Sequence, residues 1–142
     1  MDVITLAVAD LERALAFYRD GLGLESTGMV GTEYLDGETD AAGAIVLFPL
    51  ANGMMLALYP RSELAKDAAV SPGPARSGEF SLGQLVASRA AVDALLGRAE
   101  AAGAAVTAPH DRPWGIYSGY FRDLDGHLWE VIHNATAASA DE

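Results

Sequence analysis

Glu130 is the residue best placed to do chemistry. It sits in His127-Leu128-Trp129-Glu130-Val131-Ile132, a run with strand character that follows an Asp125-Gly126 turn. Alternation along a strand sends Trp129 and Val131 to one face and Leu128, Glu130 and Ile132 to the other. If the first pair packs under a helix, the second set faces a cavity. A partly desolvated carboxylate there can act as a base, or accept a hydrogen bond from a cationic or hydroxyl-bearing ligand. Trp114 and Tyr117 lie just upstream in the chain and suit an aromatic loop that caps a flat or apolar ligand, whereas Tyr120 reads as core. Phe48 and Tyr59 flank an Asn52-Gly53 turn and are expected to line a concave face. Ser81 is a minor polar candidate.

Other chemistries find little support. The chain has no cysteine, which removes disulfides, thiolate metal sites and cysteine nucleophiles. Ser118 stands between Ile116 and Tyr120, two residues away on either side, so it lacks the Gly-x-Ser-x-Gly elbow; Ser81 follows Glu79 and lacks it too. Gly21-Leu22-Gly23 ends a helix and so makes no phosphate loop. His127 and His133 each lie three residues from Glu130, on the opposite strand face, and are about 20 Å from each other along the strand. His110, between Pro109 and Pro113, reads as a solvated loop histidine.

The elements that must position these residues follow from periodicity. Val3–Val8 is β-prone. Asp10 offers an N-cap oxygen, and Leu11, Ala14, Leu15 and Tyr18 recur at helical spacing until Gly21 and Gly23. Leu24–Val30 reads as a strand and Glu33–Gly43 as an acidic solvated loop. Ala44–Leu50 and Met54–Tyr59 form a hairpin across Asn52-Gly53. Arg61–Gly78 contains Ser71-Pro72-Gly73-Pro74 and reads as a linker. The order then repeats: a strand over Phe80–Ala87, Ser88 as N-cap, a helix carrying Val92, Leu95, Leu96 and Ala99, Gly103 as its stop, then strands at Ala104–Thr107, Trp114–Arg122 and His127–Ile132. Leu15 and Leu95 are 80 residues apart. The chain therefore reads as α+β, one domain of two βαβββ modules (1–60 and 79–133) joined by a linker (61–78), with a flexible tail (134–142). Two such units are expected to pair their concave mixed sheets around a shared cavity.

Two segments carry a resemblance. Val8-Ala9-Asp10-Leu11 through Phe17-Tyr18 to Leu22-Gly23-Leu24, and Phe121-Arg122-Asp123-Leu124-Asp125-Gly126 to Glu130, are similar to the opening and closing motifs of the vicinal-oxygen-chelate superfamily. That superfamily includes glyoxalase I, extradiol dioxygenases, fosfomycin resistance enzymes and bleomycin-binding proteins. Leu124 stands where proline is usual. The resemblance implies the paired-βαβββ fold but not the chemistry, because the fold hosts several. It also implies four metal-ligand positions, which fall at Val3, Ala57, Ser81 and Glu130. Only Glu130 is a strong donor; a two-residue shift at the third position brings in Glu79 and still supplies only two. A metal-independent small-molecule binder is therefore expected, without a cofactor, holding an apolar or cationic ligand by Glu130 in the manner of bleomycin sequestration. The alternative is a glyoxalase-like lyase or isomerase, or an extradiol dioxygenase-like enzyme, with an atypical metal site. The resemblance further implies a homodimer.

Charge narrows the partners. Twenty acidic against nine basic residues give a net charge of −11, which disfavours nucleic acid and anionic membrane surfaces and weakly favours a cationic ligand. No basic leader precedes the first apolar run, and the longest apolar stretch, Ala44 to Ala51, is far below the roughly 20 residues that span a bilayer. A cytoplasmic location is expected.

Overall fold

The Asp10 carboxylate accepts a hydrogen bond from the Arg13 amide at 3.1 Å and starts the first helix where the sequence predicts it. The computed structural model describes residues 1–74 and 77–136. Two compact units divide the chain, Met1–Pro74 and Ala75–Glu142.

In the first unit, β1 (Val3–Val8) leads to α1 (Leu11–Leu15), which continues as a π-helical segment over Ala16–Gly21. Then come β2 (Met29–Val30), β3 (Ile45–Pro49), β4 (Met55–Pro60) and α2 (Arg61–Ala68). The strands order β1-β4-β3-β2, with β1 parallel to β4 and the other pairs antiparallel. Leu6, Val8, Val46, Phe48, Leu56 and Leu58 are buried with Leu11, Ala14, Leu15, Phe17 and Tyr18 of the helical segment. The Tyr18 ring lies 5.0 Å from Phe17 and 6.0 Å from Phe48. The Asn52 side chain accepts from the Met54 amide at 2.9 Å, and Gly53 has φ +87, a left-handed turn conformation that glycine adopts without strain.

Two expectations fail here. The predicted strand over Leu24–Val30 shrinks to Met29–Val30. The predicted linker begins with a helix: Arg61–Ala68 is α2, and Ala69 closes it in the left-handed conformation (φ 55). Arg, Glu, Leu, Ala and Lys are all good helix formers, so local propensity outweighs the prolines downstream.

In the second unit, β5 (Leu82–Leu85) leads to α3 (Arg89–Ala101), capped by Ser88, whose hydroxyl accepts from the Ala91 amide at 3.0 Å. β6 (Ala105–Val106), β7 (His110–Arg112), β8 (Ile116–Arg122) and β9 (Leu128–Asn134) follow. The order is β5-β9-β8-β6, with β7 also on β8 and β5 parallel to β9. Leu82, Val92, Leu96, Ala99, Phe121, Trp129 and Val131 are buried, and the Phe121 and Trp129 rings stack at 5.8 Å with planes 6° apart. The predicted loop histidine His110 is on a strand instead. Of the predicted tail, residues 137–142 lie outside the described residues.

β6 and β7 share one edge of β8, with an extra residue between them. Val106 faces Phe121 and His110 faces Ser118, so four steps on one side match three on the other. This is a β-bulge at Ala108-Pro109, and it reverses the alternation downstream. Pro109 suits the irregularity, because it has no amide to pair. Gly119 lies opposite the bulge: a Cβ there would come 2.7 Å from Leu96 Cδ1 and 3.2 Å from Pro109 Cα. Gly119→Ala is expected to destabilise the second unit by about 1–3 kcal/mol through overpacking. Denaturant unfolding checks this, and Gly119→Ala should cost less in a Leu96→Ala background than in the unaltered chain if the Leu96 clash is its cause.

Candidate functional site

The β8–β9 register places the site. Gly119 pairs with Val131 and Phe121 with Trp129, all turned toward α3; Tyr120 pairs with Glu130, Ser118 with Ile132 and Arg122 with Leu128 on the opposite face. The turn between the strands fixes this register. The Asp123 Oδ1 accepts from the amides of Asp125 (2.9 Å) and His127 (2.8 Å), and Gly126 takes φ +84.

On that face Ser118, with 0 % exposure, is the centre of a three-residue relay. Its hydroxyl donates to Glu130 Oε2 at 2.8 Å and accepts from Arg112 Nε at 2.5 Å. The Arg112 guanidinium carbon also lies 5.6 Å from the centre of the Tyr120 ring. Because of the bulge, Arg112 and His110 share this face while Asp111 is turned to the other, where it pairs with Arg89. Gly83 is the β5 partner of Glu130, so no side chain covers the carboxylate from that strand.

Beside the relay lies a groove of about 530 Å³ lined by Glu79, Phe80, Ser81, Thr107, Tyr120, Arg122 and Leu128, together with Gly78. Glu130 stands at its margin, across from Tyr120 and two residues from Leu128. Arg122 holds the groove's edge: its Nη1 donates to the carbonyls of Ser77 and Gly126, each at 2.7 Å. Thr107 Oγ1 accepts from the Tyr120 amide at 2.9 Å and fixes the base of that ring.

The predicted site residues divide. Glu130 and Ser81 share one face of the second unit, as the strand alternation requires. Tyr120, expected in the core, lines the groove instead, because the turn at Asp123–Gly126 sets it opposite Glu130. Tyr117 is one residue out of phase and points to the helix side. Its hydroxyl donates to Asp93 at 2.7 Å, which raises the phenol's pKa, and the Arg89 guanidinium lies 4.0 Å over its ring. Phe48 is fully buried against Tyr18 and lines no concave face. Trp114 is 86 % exposed, in the left-handed conformation (φ 64).

Tyr59 braces the acidic loop. Its hydroxyl donates to the Ala42 carbonyl, while the Ala42 amide donates to Glu63 Oε1 at 2.9 Å. The Glu33–Gly43 stretch is thus anchored, with Ala41 buried, rather than merely solvated. Glu63 also accepts from Ser62 (2.7 Å) and Lys66 (3.2 Å), and these donors, the Ala42 amide first, hold its pKa at about 2 against an ordinary 4.5.

The residues do not fit the metal that this fold implies. Ala57 is opposite Thr5 and Val3 opposite Met55 in the first unit; Gly83 is opposite Glu130 in the second. Whichever member of each β1 or β5 pair is taken, Glu130 is the only strong donor, and its Oε2 already accepts from Ser118. Among the described residues no group of three or more His, Asp or Glu side chains is placed to hold an ion.

Two mixed sheets, each backed by a helix on one face, define a glyoxalase-like fold. Residues 1–131 match the family model of the Glyoxalase/Bleomycin resistance protein/Dioxygenase superfamily, and the chain belongs to that superfamily. It is similar to a glyoxalase-related enzyme from Fulvimarina pelagi (30% identity, TM-score 0.76, covering 94% of this chain and 87% of that one). It is also similar to a lactoylglutathione lyase from Agrobacterium tumefaciens (30% identity, TM-score 0.63, 94% and 92% covered). FosX, a fosfomycin resistance protein from Listeria monocytogenes, shares the fold at 21% identity (TM-score 0.68, 97% and 95% covered). A comparison with curated proteins found no match. No helix among the described residues is long and apolar enough to cross a membrane.

Arg112 and Ser118 are the site residues that sequence reasoning missed. For Ser118 a signal existed: counting back from the Asp125-Gly126 turn puts it on the same face as Glu130. For Arg112 none did, because the bulge decides its face.

Because the folded pKa of Glu63 lies below its unfolded value, its contribution is complete above about pH 4.5 and is lost as pH falls toward 2. The hydrogen-exchange protection of the Ala42 amide is therefore expected to fall across that window. Glu63→Gln should show low protection already near neutrality and little further change on acidification. Equal acid sensitivity in both proteins would show that another group, such as Asp36 in the same loop, controls the anchor.

Proposed function

We propose that the chain binds a small, largely apolar molecule on the open face of its second sheet and does so without a resident metal ion. The observation that carries this reading is the engagement of Glu130. The one strong donor among the implied ligand positions accepts from a fully buried hydroxyl, which Arg112 orients in turn. Glu130 Oε1 has no hydrogen-bond partner among the described residues and is left to accept from a ligand ammonium or hydroxyl. Tyr120, Leu128 and Phe80 offer apolar surface for the ligand's body. The net charge of −11 attracts cations over long range, which suits sequestration of a cationic compound in the manner of bleomycin binding. Binding as a cytoplasmic homodimer belongs to the same proposal.

The 30% identity to a lactoylglutathione lyase favours a second reading, in which the same face carries lyase or isomerase chemistry with Glu130 as base. In either case Glu130 meets the ligand.

Titration with bleomycin and with simple aromatic amines, in the presence of chelator, tests the proposal. Saturable binding that shifts the backbone resonances of 118–122 and 128–132 is expected, and Glu130→Gln should weaken it about ten- to a hundredfold, the usual worth of a charged hydrogen bond. A stoichiometric divalent ion in protein purified without chelator, together with binding abolished by chelation, would overturn metal independence.

A further inference from the structure

We propose that Arg112 is an anion-binding residue, and that the ligand of this face carries a carboxylate which docks on the two terminal nitrogens of its guanidinium. The proposal rests on the reading that this face binds a small molecule, and adds a carboxylate beside the ammonium or hydroxyl that Glu130 takes in that reading.

Four of the described arginines bond to a carboxylate or a backbone carbonyl, Arg98 is exposed on α3, and Arg112 bonds to a side-chain hydroxyl. Arg19 pairs with Asp20 and Arg89 with Asp111. Arg122 donates to two carbonyls, and Arg61 donates to the carbonyl of Ala7. Arg112 uses only Nε, on Ser118, and its terminal Nη1 and Nη2 have no hydrogen-bond or ion-pair partner among the described residues. Yet Arg112 is half-buried, on a sheet face rather than at a loop tip. A guanidinium partly withdrawn from water keeps its stability by finding acceptors, and its planar fork matches a carboxylate in two parallel hydrogen bonds.

The position is also held in advance. A serine hydroxyl has one proton to donate. Ser118 gives its proton to Glu130, so the hydroxyl oxygen receives Arg112 Nε, and the direction of the relay is fixed. Tyr120 lies against the guanidinium. With Nε tethered and the plane flanked by a ring, the free edge loses little further entropy on meeting an acid. Glu130 does not fill that role itself, because Ser118 stands between the two charges and they form no direct ion pair. The face therefore presents a donor fork and an unpaired acceptor, Glu130 Oε1, beside an apolar groove. That arrangement fits a small carboxylic acid with an apolar body and, next to the acid, a hydroxyl or amine. The other charged or titratable groups on this face are His110, Arg122 and Glu79. Arg122 donates to both carbonyls through Nη1 alone and is a second cation on this face, which the Arg112 variants leave in place; Glu79 opposes an acid.

The test compares phenylacetate with phenethylamine, in chelator, by nuclear magnetic resonance titration of the full chain and its Arg112→Ala, Arg112→Lys and Glu130→Gln variants. A chain of charge −11 repels acids in general, so saturable phenylacetate binding at residues 110–122 is diagnostic of a local site. Arg112→Ala is expected to weaken phenylacetate about ten- to a hundredfold, and Arg112→Lys, which keeps the charge but loses the fork, by less. Phenethylamine should be held equally well or better by both Arg112 variants and weakened by Glu130→Gln. If phenethylamine binds in the Glu130-dependent way and phenylacetate binding ignores Arg112, the anion proposal fails and the binding reading stands. If neither probe shifts this face, both fail. Arg112→Lys retains the charge and much of the stem, so unfolding of Arg112→Ala would not shield the proposal.

Discussion

One carboxylate oxygen sets the geometry of the second unit. Asp123 Oδ1 accepts two backbone amides inside the turn between β8 and β9 and so fixes which residues face each other along the longest strand pair among the described residues. A one-residue slip would move every side chain to the other face. Glu130 would then be driven under α3, and Trp129 and Val131 would be exposed. The apolar set on one face and the polar set on the other agree with the same register, so turn and core reinforce each other. Leu124, in place of the superfamily's usual proline, leaves this intact, since the bonds that fix the turn come from Asp123 and Gly126.

The edge strand obeys a different constraint. Left regular, the β6–β7 edge would put Asp111 on the face of Glu130, where two carboxylates would repel. The bulge at Ala108-Pro109 exchanges Asp111 for Arg112 there and sends Asp111 to Arg89. The bulge is accommodated only because Gly119 opposite it has no side chain. Gly119 therefore serves two purposes: close approach of α3 through Leu96, and the irregularity that turns Arg112 to the site.

Those two constraints explain what was legible in the sequence. Elements whose signals are local were read correctly: the caps at Asp10 and Ser88, the Asn52-Gly53 and Asp125-Gly126 turns, and the helix stripe at Val92, Leu96 and Ala99. The superfamily followed from motifs that contain the Asp10 cap and the Asp125-Gly126 turn. The phase of individual aromatic residues was less visible. Phe48, Tyr59, Tyr117 and Tyr120 all lie in apolar runs, and an aromatic residue suits either face of a strand. Only the pairing decided that Tyr120 meets the groove while Tyr117 reaches Asp93. Arg112 was beyond reach, because a bulge changes the period at a point that composition does not mark. The helix at Arg61–Ala68 follows from the propensity of its own eight residues, whereas Pro72 and Pro74 mark only the chain beyond it.

The charge on Glu130 makes the arrangement around it intelligible. In metal-using members of the superfamily this position gives its carboxylate to a cation. In this chain the half-buried carboxylate finds a donor in Ser118 and, through it, a nearby positive charge in Arg112. A direct Arg–Glu pair would satisfy both partners and leave nothing for a ligand. Inserting the Ser118 hydroxyl satisfies each partner only in part: one oxygen of Glu130 is held and one is open, and one nitrogen of Arg112 is held and two are open. The groove and the relay therefore belong to one chemical face, in which the protein's own hydrogen bonds orient two opposite charges.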